Sequence, residues 1–129
     1  GKLAVLTLVL LVTVGEAGGA ITPQSSNQIV GHWHIVEAQG ITINSGSIAV
    51  FSSAQVMYRY CNTVSAGYQR KDNDIIFGQL TSTKMACSGL NPDERKVQQA
   101  FESCRHLRFT QLGWECYDAS NKRVLVFKH

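Results

Sequence analysis

The side chains with the most chemistry to offer here are four cysteines, Cys61, Cys87, Cys104 and Cys116, and the pair His32 and His34. A thiol becomes a nucleophile where a base or a helix N-terminus lowers its pKa. The sequence places neither beside these cysteines. There is no Cys-x-x-Cys, so zinc ribbons and thioredoxin-like redox motifs lack support. An even cysteine count in a small exported chain reads instead as a disulfide framework, for which three pairings exist. His32 and His34 are two residues apart, so on a strand both rings point to one side. Such a pair can bind zinc or copper if a third ligand, His106 or His129 for example, joins it. The plainer reading is two solvated histidines opposite a core Trp33, and no metal is expected. Asp72-Asn73-Asp74 lacks the following Gly and the distant Glu of a calcium loop, and reads as a hairpin tip. No Gly-x-Ser-x-Gly, His-Glu-x-x-His or phosphate-binding loop occurs, so nothing supports a hydrolase or a nucleotide enzyme. The expectation is a protein that is not an enzyme and carries no cofactor.

These residues need elements to hold them. The chain has 129 residues, 44% hydrophobic and 16% charged, enough for one packed domain. Net charge is +3 and the basic residues are scattered, which argues against a nucleic-acid binder. Lys2 precedes an apolar run from Leu3 to Val14, and Gly15 to Ala20 are mostly small. That is the layout of a secretory signal, too short for a transmembrane helix, which needs about 20 apolar residues. Residues 1–20 therefore read as a signal peptide, or as a retained anchor that touches a membrane or inserts into a neighbour. Secretion or cell-surface display follows, with membrane anchoring the alternative. Residues 21–28 are a polar linker, and 29–129 form the globular domain.

Alternation predicts strands over Ile29–Ala38, Ile48–Phe51 and Gln55–Tyr60. Trp33 and Ile35 share one face of the first, His32, His34 and Val36 the other. Residues 61–67 are expected as a loop or a bulged connection. A hairpin follows over Tyr68–Phe77, with its tip at Asp72-Asn73-Asp74. The helix signal is Pro92 to about Cys104. Asn91 is its N-cap and Glu94 its capping-box residue, and Val97, Ala100, Phe101 and Cys104 form one apolar stripe. Cys104 on that stripe also suits a free core thiol. Strands over Leu107–Gln111, Trp114–Asp118 and Val124–Phe127 close the chain. The fold class is α+β, mostly β, with an antiparallel sheet and one packed amphipathic helix.

Several of these segments carry a family resemblance. Cys61-Asn62, Gly67-Tyr68, Ile75-Ile-Phe-Gly78, Thr83-Lys-Met85-Ala86-Cys87, and Tyr117-Asp118 before a last apolar strand follow in order. This run resembles the META domain of bacterial HslJ heat-shock proteins and trypanosomatid META proteins. It covers Val30 to Phe127, with Gly31-His-Trp33 similar to the Gly-x-Trp that opens many members. The resemblance implies a curved antiparallel sheet, half-barrel-like, with the helix across it, and no enzyme activity or cofactor. Members are linked to stress or drug tolerance in bacteria and to virulence or secretion in parasites. It also implies a Cys61–Cys87 bridge, enclosing some 25 residues and worth roughly 3–4 kcal/mol in the chain-entropy model. Tyr60 stands where members usually have Gly. Cys104 and Cys116 lie outside the family pattern and would make a second bridge. Two functions are weighed: a non-catalytic exported domain engaging a protein partner or a small apolar ligand, or a structural protomer that self-associates or attaches to a membrane through residues 3–14.

Overall fold

In the computed structural model of the chain, residues 28–44, 47–84 and 91–129 are described. The expected signal or anchor segment at residues 1–20 lies outside them, as do Met85, Ala86 and Cys87. The described elements are β1 (Gly31–Ala38), β2 (Ile41–Thr42), β3 (Ile48–Phe51), β4 (Gln55–Arg59), β5 (Thr63–Lys71), β6 (Asp74–Phe77), β7 (Thr81–Ser82), α1 (Asn91–Ser103), β8 (His106–Phe109), β9 (Gly113–Tyr117) and β10 (Arg123–Lys128).

The mostly β class with one helix holds. The half-barrel does not: eight strands close into an antiparallel ring, in the order β1-β3-β4-β5-β6-β8-β9-β10 and back to β1. Closure comes from β10, which pairs with β9 on one edge and with β1 on the other. Its four central residues, Val124 to Phe127, are all buried. A strand so apolar gains by covering both faces, and ring closure leaves it no free edge. The ring is thinnest between β6 and β8. There a single ladder pair, Asp74 opposite His106, joins the strands. The Ile75 N–H donates to the Arg105 carbonyl at 2.9 Å, and the Leu107 N–H donates to the Asn73 carbonyl at 2.7 Å.

The predicted hairpin forms as β5–β6, with Tyr68 opposite Phe77 and Lys71 opposite Asp74. Asp72 takes the positive φ of its tip, 55°. The loop expected at 61–67 is corrected, because β5 already begins at Thr63 and runs through Gly67. Its pairing with β4, from Arg59 opposite Thr63 to Gln55 opposite Gly67, turns Val64 and Ala66 inward. Ser65, Ala66 and Gly67 are too small for that alternation to stand out in sequence.

Helix α1 buries the predicted stripe of Val97, Ala100 and Phe101, with Cys104 just past its end. Phe101 stacks on Tyr58 at 4.7 Å and meets Phe77 edge-on at 5.1 Å. Phe51, on the opposite side of the same cluster, contacts Tyr68, Phe77, Trp114 and Phe127 at 5.2–6.2 Å. Trp114 stacks on Phe127 at 4.1 Å. The barrel interior is thus filled by interlocking rings, each burying on the order of 150–250 Å².

Candidate functional site

Two of the family residues, Asn62 and Thr83, meet at the foot of α1. Asn62, only 6% exposed, follows the disulfide-bonded Cys61. Its backbone N–H donates to Glu94 Oε2 at 2.6 Å and its side-chain amide to Glu94 Oε1 at 2.8 Å. The Thr83 hydroxyl donates to Asn62 Oδ1 at 3.0 Å and accepts from the Thr63 N–H at 3.1 Å. Beside them Tyr60 donates to Asp93 at 3.3 Å. Glu94 is itself 6% exposed, so its charge is taken from water and held by two donors of one residue. Its carboxylate reaches to the barrel wall and ties the first turn of α1 to the Cys-Asn segment. The sequence offered only its helical position as a signal, and that pointed to capping. The two bonds to Glu94 are buried, and the cluster acts as an anchor for the helix.

Tyr117 and Asp118, the other end of the pattern, build the β9–β10 turn. Asp118 Oδ1 accepts the Ser120 and Lys122 N–H groups, each at 2.9 Å, as turn-forming aspartates do. Tyr117 donates to Glu115 at 2.8 Å, which raises its pKa, and lies 4.8 Å beneath the Arg108 guanidinium. Tyr68 is buried, and its hydroxyl donates to the Ser52 carbonyl. Gly67 faces outward on β5.

The cysteines are accounted for as far as they are described. Cys104 and Cys116 form a buried bridge with Cα atoms 5.6 Å apart, linking the end of α1 to β9. Cys61 is disulfide-bonded, and Cys87 lies outside the described residues. His32 and His34 do share one exposed face of β1. Their cross-strand neighbours are Val50 for His32, and Ile48 and Lys128 for His34, none a metal ligand of choice. Among the described residues no three His, Cys, Asp or Glu side chains are grouped to hold a metal ion.

The outer wall carries a feature that sequence reading missed. Two open clefts, of about 570 and 460 Å³, adjoin along β5–β6 as a groove, with Gln69 and Ile76 lining both. Its floor is apolar, with Ile76 49% exposed. Gly67 and Gly78 line one end. Lys71, Arg105, His106 and Asp74 line the other, at the thin seam of the barrel. His106 Nδ1 lies 2.9 Å from Asp74 Oδ1, both exposed. Arg105 Nη1 is held by the Glu102 and Cys104 carbonyls at 2.9 and 2.8 Å. Arg70, at the rim, donates from Nε to the Asp72 carbonyl at 2.6 Å and covers the Phe109 ring. Nothing in the local sequence joins Arg70 to Arg105; only ring closure does.

A closed eight-stranded barrel, plugged by one helix and pinned by a carboxylate on a Cys-Asn segment, is the class of protein these observations define. The META domain profile matches residues 26–129, and the chain belongs to the META domain family. No curated protein matches it significantly. Solved structures share the fold at low identity. An NMR structure of a protein from Burkholderia xenovorans has a TM-score of 0.62 at 18% identity, covering 86% of this chain and 93% of that one. A second NMR structure gives 0.63 at 16%, covering 84% and 95%. The crystal structure of a DUF4847 family protein from Bacteroides vulgatus gives 0.59 at 14%, covering 81% and 96%.

Proposed function

We propose that the chain is a non-catalytic, exported META-domain module that engages a protein partner through the outer wall of its barrel. One observation carries the reading: the interior is filled by rings, while the outer wall of β5–β6 bears an elongated open groove. A small apolar ligand inside the barrel would have to displace Phe51, Trp114 or Phe101, at a cost of several kcal/mol each. The bonded state of Cys61, Cys104 and Cys116 supports a non-catalytic role, since a resting thiolate is not available at any of them. The short apolar run at Leu3–Val14, with Lys2 ahead of it, supports export.

The test is site-specific photocrosslinking in the cells that make the protein. A benzophenone amino acid is placed at Gln69, in the groove, or at His34, on the opposite wall of the ring. A discrete adduct from Gln69 that is absent from His34 is expected. Equal adducts from both walls, or none from Gln69, overturn the reading. An adduct of twice the chain's own mass would return it to self-association.

A further inference from the structure

Building on that reading, we propose that the β5–β6 groove receives an extended acidic segment of the partner, carboxylates at the seam end and an apolar side chain on Ile76. Three observations carry it.

The first is charge. Lys71 and Arg105 line the seam end with Asp74, and at its rim Arg70 stands beside Asp72, so the lining residues alone carry two permanent cations against one carboxylate. That carboxylate is already engaged by His106. The two guanidiniums are pre-oriented. Backbone carbonyls hold Arg70 through Nε and Arg105 through Nη1, while a guanidinium carries five N–H donors. The donors left over on Arg105, a residue that lines the seam end, are free for a ligand, and carboxylates suit a guanidinium's planar fork.

The second is shape. From Gly67 to Lys71 the groove follows β5 for about 13 Å at roughly 3.3 Å per residue, the length of four or five extended residues. A compact anion would fill only the seam end. An extended peptide uses the apolar floor as well.

The third is the bare end. Gly67 and Gly78 both face outward, and the Gly78 N–H donates to the Gly67 carbonyl at 2.8 Å. A Cβ at Gly67 would meet only the Ala54 carbonyl oxygen at 3.6 Å, and one at Gly78 only the Gly67 carbonyl oxygen at 3.6 Å. Both are ordinary contacts, and neither glycine has a positive φ. Packing therefore does not require glycine at either position. What a side chain would do there is stand in the groove.

The experiment is fluorescence anisotropy on the full chain, with a labelled heptapeptide of alternating Glu and Leu and its Gln/Leu counterpart. The Glu/Leu peptide is expected to bind at least about tenfold tighter, with affinity falling as salt rises. Gly67→Val should retain the thermal midpoint and lose binding about tenfold by occlusion. Lys71→Glu, at an exposed position, should weaken binding by a similar factor through charge. Equal binding of the two peptides, no binding of either, or full binding by Gly67→Val overturns the proposal. Competition by inorganic phosphate or anionic phosphatidylserine vesicles as effective as by the peptide would make this a plain anion site, and also overturns it. A partner crosslinked from Gln69 together with failure of the acidic peptide would sink this inference alone. Absence of any crosslink from Gln69 would sink the reading beneath it.

Discussion

Two buried polar side chains with opposite circumstances show what single residues contribute. Glu94 is satisfied twice by Asn62, whereas the Tyr58 hydroxyl, in a side chain 2% exposed, has no hydrogen-bond partner among the described residues. Removing an unsatisfied buried hydroxyl should cost nothing, so Tyr58→Phe is expected to leave stability unchanged or raise it by up to about 1–2 kcal/mol. Denaturant melts check this. The same residue gives a pH signature. Burial first, then the nearby Glu94 and Glu102 carboxylates, push the Tyr58 phenol far above its ordinary value. In the unfolded chain it ionises near pH 10; in the folded barrel it stays protonated. Below pH 10 its contribution is intact. Above it the folded state holds a proton that the unfolded state releases, so stability falls by about 1.4 kcal/mol per pH unit. Tyr58→Phe should remove that increment, and a wild-type alkaline slope identical to the variant's would refute the assignment. Glu94→Gln should act the other way. It turns one of two acceptors into a donor facing an Asn62 N–H, and is expected to cost about 2–3 kcal/mol.

Elements are where the sequence was most readable. β1 and the β5–β6 hairpin announce themselves by alternation, and α1 by its stripe, because each is decided by which residues can face one core. The start of β5 was hidden, since Ser65, Ala66 and Gly67 carry almost no side-chain contrast. Their strand state is imposed by β4, already in place along their length. Glu94 is a related case: the local motif marks its place in the first turn of the helix, and only the fold supplies its distant partner, Asn62. Gly113 is a third case. In sequence it falls between the strands predicted at Leu107–Gln111 and Trp114–Asp118, but in the structure it is the first residue of β9, opposite Lys128. A Cβ there would run into the Phe127 carbonyl oxygen and come within 3.0 Å of the Lys128 Cα, both rigid backbone. Gly113→Ala must therefore pry β9 from β10. A loss of about 3 kcal/mol or more is expected, at the upper end of overpacking penalties. Thermal unfolding measures it, and a midpoint within a degree or two of wild type would mean the strands shift freely.

At the scale of the whole molecule, ring closure is what local sequence could not reveal. Pairing β10 with β1 joins opposite ends of the domain, and pairing β6 with β8 joins strands separated by the helix; neither leaves a mark in a short window. Closure also sets the order in which the barrel should open. A ring fails at its thinnest joint, and β6–β8 has one ladder pair where β4–β5 has five. What reinforces the joint lies beside it. The Cys104–Cys116 bond fixes the end of α1 to β9, the Arg105 N–H donates to the Tyr117 carbonyl at 2.8 Å, and the Arg105 carbonyl accepts the Ile75 N–H. The covalent link thus holds the residue that holds the seam. A loop of this size restrains the unfolded chain by about 2–3 kcal/mol. Its loss should be felt first at the seam, because stability is unevenly spread among cooperative units. The expected outcome is specific to two amides. In Cys104→Ala/Cys116→Ala, hydrogen exchange at Ile75 and Leu107 should accelerate about tenfold or more beyond any change at Met57 on β4. Uniform acceleration at all three would show instead that the barrel opens as one unit. The basic end of the groove sits on this seam, so the same variant should bind the Glu/Leu peptide more weakly even while β4–β5 stays closed.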